Sequence, residues 1–238
     1  MNSSAGQASE IYKDYWTGQD AERERRDYYE RLYRRIRPRI EIREGWKILD
    51  VAGGNGQFLK YLGVKEADIL EISESGLEAA KQKGYRTILG DVEKRFPIAE
   101  ETYDCAFCFE VLEHLHRPNK TLVEIHNVLK SRGVLYVGQP NMRPDGVHHV
   151  RRYYLGALLD DLDKSGFKVE WVDYVPAYSM PEAILSDIRR NPSFVRKAVQ
   201  CVNLALSLLP ENIRIRMAHA IPDRFALLFV LKAVKKSP

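Results

Sequence analysis

The run Trp46-Lys47-Ile48-Leu49-Asp50-Val51-Ala52-Gly53-Gly54-Asn55-Gly56 decides the fold. Its first part, Trp46–Ala52, is a short, mostly apolar stretch that reads as a buried strand. The rest is a turn of very small side chains, after which Gln57–Leu62 resumes as a helix. A strand that stops at bare backbone and restarts as a helix presents unpaired N–H groups to whatever lies beyond it. In an open α/β sheet, ligands bind at that end of the strands.

The alternation continues on the C-terminal side. Ala67–Ile72, Arg86–Leu89, Asp104–Phe109, Val134–Gln139 and Phe167–Val175 read as strands, and Ser75–Lys83, Pro118–Lys130 and Tyr154–Lys164 as helices. Strands alternating with helices of this length predict parallel β-α-β units in a three-layer Rossmann-like sandwich. After Pro176 the pattern changes. Pro181–Arg190, Ser193–Leu209 and Glu211–Ala220 read as helices, and Phe225–Val234 as a last strand. The predicted organisation is a tail and helical lid over residues 1–45, a ligand-binding core over 46–176, a helical insert over 177–222, and a final strand with a basic tail over 223–238 that rejoins the core. The aromatic side chains Tyr12, Tyr15 and Trp16 would be the lid's contacts, with packing against the sheet as the alternative.

Composition bounds the class. The chain has 238 residues, 45% hydrophobic and 29% charged, with a net charge of +4, as expected of a globular protein. Its first residues are polar, and no apolar run approaches the roughly 20 residues of a membrane span. Three cysteines argue against a disulfide framework and for a reducing compartment, so the expected location is cytoplasmic. Cys105 and Cys108 lie three apart on a predicted strand, hence on opposite faces, and cannot readily share a metal or a disulfide. The basic stretch Arg23–Arg43 is interleaved with acids and reads as a solvated helix face, with a surface attracted to phosphate or acidic lipid as the alternative. Val195, Val199, Val202, Leu206 and Leu209 form an apolar stripe at helical spacing. It suits packing against the core, a substrate lid, a dimer surface or peripheral membrane contact through 193–209. No recognition motif or uncompensated basic stripe points to nucleic acid.

The ligand is narrowed by what surrounds the turn. Gly54-x-Gly56 is followed by Leu59 where a dinucleotide fingerprint needs a third glycine, and no P-loop lysine follows. A nucleotide-like ligand without pyrophosphate is preferred. Glu71, ending the second strand about 20 residues on, is placed to accept ribose hydroxyls. Asp91, after the third strand, can accept from an adenine amine, with Val92 offering apolar area and a backbone N–H.

With these elements in place, the chain resembles the class I S-adenosylmethionine-dependent methyltransferases, in their type 11-like small-molecule branch. The resemblance runs through Ile48–Gly56, Leu70–Leu77, Gly90-Asp91-Val92-Glu93, Tyr103-Asp104, Phe109-Glu110-Val111-Leu112-Glu113-His114, Val128–Lys130 and Gln139-Pro140-Asn141. It implies a seven-stranded, mostly parallel sheet whose last strand lies antiparallel beside the sixth. It also implies S-adenosylmethionine as cofactor, with S-adenosylhomocysteine as product, and a small-molecule acceptor such as a sugar or lipid precursor. Asp50 and the backbone of Ala52, Gly53, Gly54 and Gly56 would surround the methionine moiety. Glu71 and Ile72 would lie at the ribose, Asp91 and Val92 at the adenine, and Phe109, Glu110 and Val111 near the sulfonium.

The family's first glycine is Ala52 here. An alanine is compatible with the turn if its φ is negative. The family's Lys-Pro-Gly-Gly turn is Lys130-Ser131-Arg132-Gly133, a structural loop. Candidate bases past the strand ends are Glu113, His114, His148 and His149, among which His149 and His114 are carried forward. Their spacing matches no H-E-x-x-H pattern, so no metal is expected. A catalytically silent cofactor-binding subunit is the competing reading, and a nicotinamide-dependent oxidoreductase is disfavoured by the missing glycine. An oligomer is compatible with the sequence.

Overall fold

The computed structural model describes residues 30, 32–141, 149–176, 201, 205, 208–220 and 226–237. In chain order the elements are β1 (Ile48–Val51), α1 (Gln57–Leu62), β2 (Asp68–Glu71), α2 (Glu74–Gln82), β3 (Arg86–Leu89) and β4 (Tyr103–Phe109). There follow α3 (Pro118–Val128), β5 (Leu129–Pro140), α4 (Leu155–Lys164), β6 (Phe167–Pro176), α5 (Glu211–Ala220) and β7 (Ala226–Lys235). The seven strands form one sheet in the order β3-β2-β1-β4-β5-β7-β6. The pairs from β3 through β5 are parallel, and β7 runs antiparallel to both β5 and β6. This is the predicted sheet, with the refinement that β7 is inserted between β5 and β6. The strand order reverses between β1 and β4, the place where such folds take their ligands.

Two apolar layers cover the faces of the sheet. On one, Phe107 and Phe109 pack with Phe58, Leu59 and Leu62 of α1 and with Leu77 and Ala80 of α2. On the other, Ala106 and Cys108 pack with Leu122 and Ile125 of α3 and Leu158 and Leu162 of α4. Strand alternation thus separates Cys105 from Cys108, which belong to opposite layers, as their spacing predicts. Each fully buried Phe or Leu stabilises by roughly 1.5–3 kcal/mol relative to exposure, so these layers dominate the stability.

Residues 32–36 are helical and end in a short 3-10 turn, Arg37–Arg39, that contains Pro38. Leu32, Tyr33, Ile36 and Ile40 are buried on the α1 side. The Arg37 guanidinium donates to the carbonyl of Leu62 at 2.8 Å, serving the C-terminus of α1. Arg34, Arg39 and Arg43 pair with Glu30, Asp173 and Glu41. Tyr12, Tyr15, Trp16, His148, the helix expected over 181–190 and most of 193–209 lie outside the described residues. No helix among those described is long and apolar enough to cross a membrane.

One boundary departs from expectation. Lys130–Gly133 is not a loop between helix and strand, because β5 already begins at Leu129. Leu129 pairs with Tyr103, and the register then shifts before Val134 pairs with Cys105. The extra residues form an exposed irregularity in which Arg132 takes φ 61°. Lys130 ties it down through a 2.8 Å ion pair with Asp104.

Candidate functional site

The chain leaves β1 through three left-handed residues, Ala52 (φ 54°), Gly54 (φ 53°) and Gly56 (φ 73°). The condition of a negative φ at Ala52 is therefore not met. The Cβ of an L-residue crowds the following carbonyl in this region, at a cost of roughly 1–2 kcal/mol. Gly53 is constrained differently: a Cβ there would stand 2.5 Å from Asp50 Oδ2. The small side chains thus let the backbone fold down onto the Asp50 carboxylate.

Glu71 fixes the turn from the neighbouring strand. Its Oε2 accepts from the Gly54 N–H at 2.9 Å, and its Oε1 accepts from Ile72 N–H at 2.8 Å and Ser73 N–H at 2.9 Å. The parallel register that pairs Val51 with Leu70 brings these residues level. Burial raises the Glu71 pKa, and the three N–H bonds oppose the rise. Asp50 lies level with Ile69 on β2 and Phe107 on β4, and its Oδ2 has no hydrogen-bond partner among the described residues. Burial, aided by the Glu71 charge, lifts its pKa well above the carboxylate range. A buried acid with an unpartnered oxygen, beside a second acid and the half-buried backbone of Ala52 and Gly53, fits a ligand carrying a positive amine and vicinal hydroxyls. This matches the methionine and ribose ends of S-adenosylmethionine.

Asp91 lies just past β3, where Gly90 N–H donates to the Glu71 carbonyl at 3.0 Å. Its Oδ1 accepts from Glu93 N–H at 2.9 Å, and its Oδ2 is 3.6 Å from Lys94 Nζ. Val92 is buried in the core, so its backbone is what remains to offer a ligand. Ile72, by contrast, is half-buried at the exit of β2.

Pairing of Asp50 with Phe107 brings the end of β4 beside the glycine turn. The Phe109 ring is stacked on Phe58, with centroids 4.3 Å apart, and leaves no room for a Cβ at Gly138. Phe109 and the buried Val111 are thus packing residues, and what faces outward here is backbone and the half-buried Glu110. Glu110 takes φ 55°, with its N–H donating to the Gly138 carbonyl at 2.8 Å. A non-glycine residue held in this region at a strand exit marks a site whose backbone direction is fixed by its surroundings.

A second cluster lies beyond the ends of β4 and β5. Glu113 and His114 sit on a 3-10 turn, Leu112–His114. The Glu113 carbonyl accepts from Val150 N–H at 2.9 Å, and Arg151 donates to the carbonyls of Leu115 and His116. These bonds seat the segment after His148 against the turn and bring the rings of His149 and His114 to 4.8 Å between centroids. Glu113 is buried, with Oε1 3.6 Å from His114 Nε2 and without a hydrogen-bond partner among the described residues. Its Oε2 accepts from Gln139 Nε2 at 3.2 Å. Burial and the Glu110 charge raise its pKa well above the usual carboxylate value.

The structure therefore gathers Asp50, Ala52, Gly53, Gly54, Gly56, Glu71 and Ile72 on the β1–β2 side, and His114 with His149 on the β4–β5 side. Gln139 was not singled out from sequence as a site residue. The available signal was a large polar side chain at the end of an apolar strand.

Residues 49–137 match the family model for a methyltransferase domain. A ubiquinone/menaquinone biosynthesis C-methyltransferase of Roseobacter denitrificans is 30% identical, over 43% of this chain and 46% of that protein. A ubiquinone biosynthesis O-methyltransferase of Photobacterium profundum is 28% identical, over 41% of this chain and 45% of that protein. The chain spans about half the length of these curated relatives. Among solved structures, the [4+2]-cyclase SpnF superposes with a TM-score of 0.59 at 18% identity, covering 88% of this chain and 82% of that one, which shows a shared fold. Over residues 49–137 the chain is similar to the class I S-adenosylmethionine-dependent methyltransferases.

Proposed function

We propose that the chain transfers a methyl group from S-adenosylmethionine to a small phenol-type acceptor. The observation that carries this reading is the junction at the end of β1, where Glu71 grips the Gly54 N–H while a buried oxygen of Asp50 has no partner. When bound, S-adenosylmethionine supplies a methyl group on a sulfonium, already activated for in-line displacement. The chain's own residues supply placement and exclusion of water. Asp50 holds the amine end by charge, and the one remaining lone pair of the Glu71 carboxylate accepts a ribose hydroxyl. Asp91 and the Val92 backbone flank the adenine, and Glu110 stands at the β4 exit between cofactor and acceptor.

The acceptor belongs over β4 and β5, beside Glu113, His114 and His149. Deprotonating a phenol raises electron density on both its oxygen and its ring carbons. One acidic-proton acceptor at that cluster thus serves either O- or C-methylation. Both chemistries occur among the curated relatives, whose names place them in ubiquinone biosynthesis.

The test is formation of S-adenosylhomocysteine by the purified chain with S-adenosylmethionine and a panel of catechols, monophenols, sugars and lipid alcohols. Turnover with phenols alone is the expected result. Turnover confined to sugars or lipid alcohols would overturn the acceptor class. Cofactor binding without turnover on any acceptor would overturn the enzymatic reading in favour of a silent cofactor-binding subunit.

A further inference from the structure

We infer that Glu113, His114 and His149 form a binding site for one divalent transition-metal ion on the acceptor side of the sheet. One ligand atom from each of the three lies within 4.8 Å of the others. One carboxylate and two imidazoles make a set suited to zinc, iron, cobalt or nickel, and poorly suited to magnesium or calcium. The Glu113–His114 pair is already spaced for the task. Ligands about 2.1 Å from a tetrahedral ion lie about 3.4 Å from one another, and Glu113 Oε1 is 3.6 Å from His114 Nε2. The half-buried His149 offers its ligand atom within 4.8 Å of both, so an approach of no more than about 1.4 Å completes the set.

A second observation points to a cation independently of spacing. Among the described residues, Glu113 Oε1 is buried without a hydrogen-bond partner. An ionised carboxylate in that setting is costly unless a positive charge joins it. The surroundings are also those of a held ligand. Gln139 Nε2 donates to the other carboxylate oxygen, which orients Glu113 as the outer partners of metal ligands do. The backbone bonds from Val150 and Arg151 to the Glu113 carbonyl hold His149 beside the turn.

This reverses the expectation drawn from local spacing. The third ligand is supplied from the far side of β5, where no H-E-x-x-H pattern could reveal it. Three protein ligands leave a coordination position open. The ion's role rests on the methyltransferase reading: an acceptor hydroxyl bound at that position loses its proton more readily, as metal-bound water does. The ion's binding does not depend on that reading.

The test uses the full chain, stripped with a chelator and titrated with Co2+ in the absence of cofactor and acceptor, by visible absorption and by calorimetry. One equivalent is expected to bind, with affinity falling at least tenfold in His149→Ala and in Glu113→Gln. Gln139→Leu should weaken binding about tenfold through loss of the outer hydrogen bond. His116→Ala and Cys201→Ser, which alter an exposed imidazole and an exposed thiol, should leave the stoichiometry and affinity unchanged. Should Glu113→Gln fail to fold, the half-buried His149 decides the matter. Absence of saturable binding, or binding unaffected by His149→Ala, would overturn the site. Because no methyl transfer is measured, this outcome is separate from that of the acceptor panel.

Discussion

Glu71 holds the turn and is the acid proposed for the ribose, and its substitution separates the two. Glu71→Ala would remove the acceptor of three backbone N–H groups at once. That would damage the turn and leave the ligand effect unreadable. Glu71→Gln is the sharper perturbation. The amide oxygen can keep the bonds from Ile72 and Ser73, which share one carboxylate oxygen. The NH2 group then faces the Gly54 N–H, donor against donor. One buried bond is lost and a donor is stranded, a cost of about 1–3 kcal/mol. For a domain of this size, each kcal/mol lowers Tm by roughly 2–4 °C. The neutral amide is also a weaker acceptor for ribose hydroxyls. A tenfold loss of affinity cuts the stabilisation by ligand at 100 times the wild-type Kd from about 2.7 to about 1.4 kcal/mol. The assay is urea unfolding of wild type and Glu71→Gln, with and without S-adenosylhomocysteine at one fixed concentration. The expected variant is less stable when free and gains less from the ligand. Equal ligand stabilisation in both proteins would refute the placement of Glu71 at the ribose.

Further outcomes follow from the same geometry. Ala52→Gly relieves a left-handed alanine but adds freedom to the unfolded chain, so a net gain of about 0.5–1 kcal/mol is expected in chemical denaturation; a loss would show that the Ala52 methyl makes a compensating contact. For Asp50 the folded pKa lies above the unfolded one, so the folded state binds the extra proton. Its favourable contribution is full below the unfolded pKa of about 3.9 and is lost as pH rises through the folded value. Asp50→Asn should therefore raise the stability of the ligand-free chain by an amount that grows from pH 4 to pH 8, while weakening S-adenosylhomocysteine binding; a pH-independent difference in urea midpoints would contradict this. Burial raises the Cys105 and Cys108 thiol pKa values, whereas Cys201 is exposed. Iodoacetamide should then label one thiol of the native chain and all three after denaturation, read by intact mass.

The residues that announce the fold do so because their signals are local. The apolar run into Gly53-Gly54 and the helical pattern of 57–62 need no tertiary information, and Arg86–Leu89 forms the predicted strand residue for residue. Gly63 and Gly84, with φ 74° and 94°, close α1 and α2 where helix-ending glycines belong. Glu71 stood out in the sequence as a candidate acid at the end of β2, but its grip on Gly54 was not legible, since that bond depends on the register of β1 against β2. The backbone angle at Ala52 was hidden because side-chain size does not report φ. The early start of β5 was hidden for a related reason: Lys130–Gly133 has turn-like composition, yet pairing with β4 and the Lys130–Asp104 bridge hold it in the sheet. Phe109 read as a ligand neighbour by position, whereas its ring is spent on Phe58. His149 joins the neighbouring Glu113–His114 pair only by tertiary contact across the ends of β4 and β5.

The proposed cofactor site at the end of β1 is most directly tested by calorimetric titration of the chain with S-adenosylhomocysteine and, separately, with NAD. One molecule of S-adenosylhomocysteine per chain, with no saturable heat from NAD, is the expected result. Saturable binding of NAD without any of S-adenosylhomocysteine would contradict it.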